Sequence, residues 1–85
     1  MKNSLSKKRE EKYFEQLGLR LRHFRKLRGY TNYEYFAYEI HMSRTQYGKY
    51  EKGANIQFST LLNLLKALNV SLEEFFSDGF DQKYE

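Results

Sequence analysis

Apolar side chains at Phe14, Leu17, Leu21, Phe24 and Leu27 recur at steps of three and four, the spacing that lines one face of an α-helix. A long first helix is therefore predicted, entering as early as Ser6 and ending near Gly29. A second stripe, Leu61, Leu64, Leu65 and Leu68, predicts a helix over about Thr60 to Leu68 with Ser59 as its cap. Three more helix starts share one device, a Ser or Thr followed three residues later by Glu or Gln, in which each side chain satisfies the other's free backbone N–H. These are Thr31 with Glu34, Ser43 with Gln46, and Ser71 with Glu74. Each is flanked by an apolar pair able to fix the entry of the chain: Tyr30 with Tyr35, Met42 with Tyr47, Val70 with Phe75. The pattern predicts five helices in one compact all-α domain.

The connections narrow the architecture. Between the second and third helices only about His41 and Met42 are left over, and so short a link forces a tight angular pair, the helix-turn-helix. Ala37 is the small side chain where those two helices pass. Tyr47 and Tyr50 form the inward face of the third helix, which leaves Arg44, Thr45, Gly48 and Lys49 outward. Gly48 costs about 1 kcal/mol of helix stability relative to Ala and permits close approach. The segment from Gly53 to Phe58 is the longest internal loop, a polar strip suited to lie against a partner.

Composition removes most alternatives. Eighty-five residues suffice for one small domain, and 18% aromatic side chains supply core area without staples. The absence of Cys excludes disulfides, thiol nucleophiles and Cys-based zinc sites; the absence of Pro, with only 5 Gly, argues against a many-turned β-sandwich. No run of about 18 apolar residues is present, so a soluble, cytoplasmic protein without membrane attachment is expected. His23 and His41 are isolated from any ligand set or triad, and neither metal, cofactor nor catalysis is expected.

The net charge of +4 conceals a gradient. Residues 1 to 30 carry ten Lys or Arg against three Glu, residues 31 to 58 balance three against three, and residues 59 to 85 hold two against five acids. A basic end suits a polyanion, and an acidic end should point away from it. Residues 1 to 12 form a basic arm or helix extension, in which Lys2, Lys7, Lys8, Arg9 and Lys12 add nonspecific attraction or solubility. The domain proper is expected over residues 13 to 77, with an acidic tail over residues 78 to 85.

Residues 17 to 76 resemble the Cro/repressor-type, or Xre-like, helix-turn-helix family. The likeness rests on Leu17-Gly18-x-x-Leu21-x-x-x-Arg25, Thr31 with Glu34, Phe36-Ala37, Ser43-Arg44-Thr45 and Tyr50-Glu51-Lys52-Gly53. It continues through Leu61-x-x-Leu64-Leu65-Lys66-Ala67-Leu68-Asn69-Val70-Ser71-Leu72-Glu73-Glu74-Phe75. The chain departs from the pattern by one residue inserted between Thr31 and Ala37, by Asn32 where Gln is usual, and by His41 in place of a turn Gly.

The resemblance implies a five-helix DNA-binding fold and a sequence-specific regulator of bacterial or phage type, a repressor or autoregulator that binds double-stranded DNA. Arg44, Thr45, Gly48 and Lys49 would face base edges in the major groove; a guanidinium at Arg44 can bond both acceptors of guanine. Backbone contacts are expected from Asn32 or Tyr33 at the start of the second helix, from Gln46, and from Lys52, Asn55 and Gln57 after the third. Gln46 is also the predicted capping partner of Ser43. The resemblance further implies a structural salt bridge between Arg25 and Glu51. A homodimer is expected through Leu62, Phe75, Phe76 and Phe80, since so small a domain cannot easily bury all three Phe. The competing function is an adaptor or antitoxin-like protein that uses the same fold to bind a protein such as a toxin. A single-stranded nucleic acid stacked on Tyr33, Tyr35 or Tyr38 is a weaker reading, and duplex RNA closes off the groove the motif would enter.

Overall fold

The computed structural model describes residues 4–80, with side chains from residue 7. Five helices follow one another: α1 (Ser4–Leu27), α2 (Tyr33–Glu39), α3 (Arg44–Glu51), α4 (Phe58–Leu68) and α5 (Leu72–Phe76). No strand occurs among the described residues. The first helix thus begins earlier than Ser6, and the stretch left open between arm and extension is helical from Ser4. Its side chains from Lys7 to Lys12 are exposed.

The core is assembled from all five helices. Leu21 and Phe24 of α1 meet Phe36 and Ala37 of α2, Tyr47 of α3, the four inward Leu of α4, and Phe75 of α5, with Ile56 and Val70 from the loops. Phe14 and Leu17 pack against it from the first half of the α1 stripe. Leu27, the last member of that stripe, does not: it is 59% exposed, because α1 ends there and the chain turns away.

Four helices end in one way. At α1 the N–H of Gly29 bonds Lys26 and that of Tyr30 bonds Arg25, with Gly29 at φ 94°. His41, Gly53 and Asn69 occupy the same left-handed position after α2, α3 and α4, at φ 60°, 103° and 57°. Each is flanked by the same pair of backbone bonds: His41 to Tyr38 and Met42 to Ala37, Gly53 to Tyr50 and Ala54 to Lys49, Asn69 to Lys66 and Val70 to Leu65. This double bond satisfies carbonyls that a helix end otherwise leaves open.

Two further helix starts differ from expectation. At α2 the cap is Asn32, not Thr31: its Oδ1 accepts from the N–H of Tyr35 at 2.7 Å. Asn ranks above Thr as a cap, and the shift by one residue absorbs the insertion. Tyr30 accordingly packs on both Tyr35 and Phe36, closer to Phe36 (ring centroids 4.9 Å against 5.9 Å). At α4 the helix opens at Phe58 and Ser59 lies inside it; the capping position is Gln57, which makes no side-chain bond. Buried Ile56 and Leu61 stand at the positions of a hydrophobic staple and anchor that start by burial. Ser43 and Ser71 do cap α3 and α5, accepting from Gln46 N–H at 3.2 Å and Glu74 N–H at 3.0 Å.

Candidate nucleic-acid interface

The third helix is held from beneath. Arg25 donates from Nε to Glu51 Oε2 at 2.7 Å, from Nη2 to Glu51 Oε1 at 3.1 Å, and from Nη1 to the Tyr30 carbonyl at 2.6 Å. The Tyr47 hydroxyl donates to the same Glu51 Oε2 at 2.6 Å. The two charged side chains are 4% and 8% exposed, so the forked pair fastens α1 to the last turn of α3 in a dry setting. The Glu51 hydrogen bond raises the Arg25 pKa against the opposing effect of burial. Burial, then the bond to Glu51, drives the Tyr47 phenol far above its ordinary value of 10.0. Gly18 completes the junction: a Cβ there would lie 2.5 Å from the Glu51 carbonyl oxygen, so only glycine lets α1 and α3 cross this closely.

With Tyr47 buried and Tyr50 partly so, the exposed side of α3 is fixed. Thr45, Lys49 and Lys52 recur at steps of four and three on that side, and Arg44 is exposed at the helix start. Gly48 is a correction to the outward face. It is buried, and a Cβ on it would lie 2.8 Å from the Tyr33 ring, so the position serves the packing of α2 on α3 and offers no surface.

The residues expected at the DNA backbone fall in three places. Asn32, Tyr33 and Lys52 line one cleft of 390 Å³ together with Arg22 and Lys26 of α1, Glu34 of α2, and the Arg25–Glu51 pair. Asn32 uses Oδ1 as the α2 cap, which leaves its amide nitrogen as a donor. Gln46 is elsewhere: only its backbone N–H takes part in the Ser43 cap, and its exposed side chain lines an open groove with Met42, His41, Asn63 and Lys66. Asn55 and Gln57 are exposed on the loop to α4, on either side of buried Ile56.

The apolar surface is also redistributed. Phe75, expected in a dimer interface, is fully buried, sandwiched by Phe24 at 6.0 Å and Phe76 at 5.0 Å. Phe80 is half-buried against the same cluster. Leu62 and Phe76 are exposed, and so are two residues that the sequence reading did not single out, Phe58 and Leu72. Phe58 with Leu62, and Leu72 with Phe76, are spaced by four and share a face on their helices.

Three arginines in or just after α1 are engaged inside the protein. Besides Arg25, Arg20 donates to the carbonyls of Phe75 (2.9 Å) and Glu74 (3.0 Å), and its guanidinium lies 4.7 Å from the Phe24 ring centroid. Arg28 donates to the carbonyls of Leu68 (2.7 Å) and Asn69 (3.0 Å). These arginines cap the C-terminal ends of α5 and α4. Their partners lie 40 to 55 residues away in sequence, and no local pattern announces them.

Among the described residues no helix is long and apolar enough to cross a membrane, and no group of His, Asp and Glu converges as a metal site would. A helix-turn-helix family model matches residues 21–75, from the buried Leu21 to the buried Phe75. No curated protein and no solved structure matches the chain.

Proposed function

The chain belongs to the Cro/repressor-type helix-turn-helix family of DNA-binding transcription regulators, and from that premise we propose that it reads double-stranded DNA in the major groove with α3 and acts as a repressor or autoregulator. The observation that carries this reading is the exposed stripe of α3, in which Arg44, Thr45 and Lys49 stand clear of the core while Tyr47 and the Arg25–Glu51 pair hold the helix rigidly beneath them. Arg44 suits guanine, Thr45 a thymine methyl or a base acceptor, and Lys49 guanine or phosphate. Asn32, Tyr33 and Lys52 on one side and Asn55 and Gln57 on the other would fix the register on the backbone.

Two half-sites read by one protein require two copies. A homodimer through the exposed pairs Phe58 with Leu62 and Leu72 with Phe76 supplies them, with Phe75 and Phe80 supporting that face from below. A cytoplasmic location follows from the same role. Selection from a random-oligonucleotide pool tests the proposal: a shared motif should emerge with the native protein and be lost or altered with Arg44→Ala and Lys49→Ala. Recovery of no motif, or of the same motif from both variants, would remove α3 as the reader.

A further inference from the structure

An open groove of 1110 Å³ lies between the α2–α3 turn and α4, and its lining includes neither the exposed stripe of α3 nor the exposed apolar pairs of α4 and α5. Ile40, Met42, Leu64 and Ala67 supply the apolar part of that lining. The polar part is His41 and Ser43 of the turn, Gln46 of α3, and Asn63 and Lys66 of α4. Sites for small organic molecules are built in this way, from apolar side chains with a few placed polar groups. No Asp or Glu is among the lining residues. Glu39, which precedes Ile40 in sequence, acts instead on the Tyr35 phenol, whose pKa it raises. Donors are at hand in the groove. Among the described residues the side chains of Gln46, Asn63 and Lys66 have no bonding partner, and Ser43, whose Oγ accepts the Gln46 N–H, keeps its own hydroxyl proton to donate.

Such a lining selects by charge. An occupant that covers the apolar residues gains by leaving water. A cationic head on it meets the like charge of Lys66 with no carboxylate to compensate, whereas an anionic head gains a charge-assisted hydrogen bond. We infer that this groove is a ligand site for an amphipathic organic acid, its carboxylate held by Lys66 with Gln46 and Asn63 beside it, and its hydrocarbon body laid over Ile40, Met42 and Ala67. The site touches the turn that sets α3 against α2 and contains none of the residues proposed to read bases.

The test titrates decanoate, decanol and decylamine into the full chain by calorimetry, each below its aggregation threshold. The three share one hydrocarbon chain and differ in the charge of the head. Decanoate should bind saturably, and octanoate, two methylenes shorter, about tenfold more weakly. Lys66→Gln should lower decanoate affinity about tenfold or more, the worth of a hydrogen bond to a charged group, and leave decanol binding as it was. Ala67→Phe should fill the groove and abolish binding of both. Lys66 and Ala67 are exposed, and an unaltered melting temperature without ligand checks the fold of each variant; should Ala67→Phe not fold, Lys66→Gln decides. Phe76→Glu, which alters the exposed face of α5, should bind decanoate as the native protein does. Absence of decanoate binding would overturn the proposal, as would decylamine binding equally well or affinity for decanoate left intact in Lys66→Gln. Binding lost in Phe76→Glu instead would move the amphiphile to the α4 and α5 surface and overturn the groove as its site.

Discussion

Single residues at the α1–α3 junction show how closely side-chain volume and charge are matched here. Removing Arg25 leaves Glu51 buried without its partner, so Arg25→Ala should cost about 3–5 kcal/mol and abolish DNA binding through loss of the fold. An unchanged melting temperature would contradict that role. Gly18 and Gly48 look alike in sequence, each a glycine inside a helix, but their neighbours differ. A Cβ at Gly18 meets backbone carbonyls, whereas one at Gly48 meets the ring of Tyr33. Backbone cannot move aside, so Gly18→Ala should destabilise by about 1–3 kcal/mol despite the roughly 1 kcal/mol that Ala gains in a helix. Gly48→Ala should cost less, and a urea titration of the two variants would rank them. Tyr47 sets an alkaline limit. Its pKa is raised in the folded state, so the native protein holds the phenol proton more tightly than the unfolded chain does. The stability this contributes is fully present below the unfolded value of 10.0 and is lost progressively as pH rises beyond it. Tyr47→Phe should therefore flatten the fall of melting temperature above pH 10, at the cost of the hydrogen bond to Glu51.

At the scale of elements, the starts and stops divide into what is written locally and what is not. The Ser43 and Ser71 caps, the α4 stripe and the inward Tyr47 follow from spacing alone, because the interactions they announce close within four residues. Spacing alone places the start of α2 one residue early because Thr31 and Asn32 are adjacent competent caps; Asn32, the stronger cap, takes the position, and Tyr30 packs closer to Phe36 than to Tyr35. Spacing alone places the start of α4 too late because its anchor is the burial of Ile56, a tertiary event, and Ser59 has the composition of a cap without the position. The same limit applied to the candidate site. Exposure of Arg44, Thr45 and Lys49 followed from helix periodicity, but the burial of Gly48 depended on Tyr33 reaching across from α2. Arg20 is the counterpart at the far end of the fold. Arg20→Met keeps the stem and deletes two charged donors to the last carbonyls of α5, and should cost about 1.5–3 kcal/mol, read as a lower urea midpoint.

For the whole molecule the consequence lies in how the α4 and α5 surfaces are used. Phe76 is 42% exposed, close to Leu62 and Leu72 at 41% each, so α4 and α5 both carry exposed apolar side chains. Phe76→Glu should convert the proposed dimer to monomer in gel filtration and weaken operator binding far more than binding to a single half-site; an unaltered elution volume would dismiss that face. The arginines of α1 bear on a different property. Arg20, Arg25 and Arg28 are tied to oxygens of their own chain, while Arg22, Lys26 and Lys52 face an open cleft. Dissolved ions screen exposed charges within about 8 Å at physiological strength and within about 3 Å at 1 M. The sequestered Arg25–Glu51 pair is largely shielded from that screening. Rising ionic strength should therefore strip nucleic acid from this protein long before it loosens the helices, which makes a concentrated-salt wash a way to recover it folded and free of its ligand.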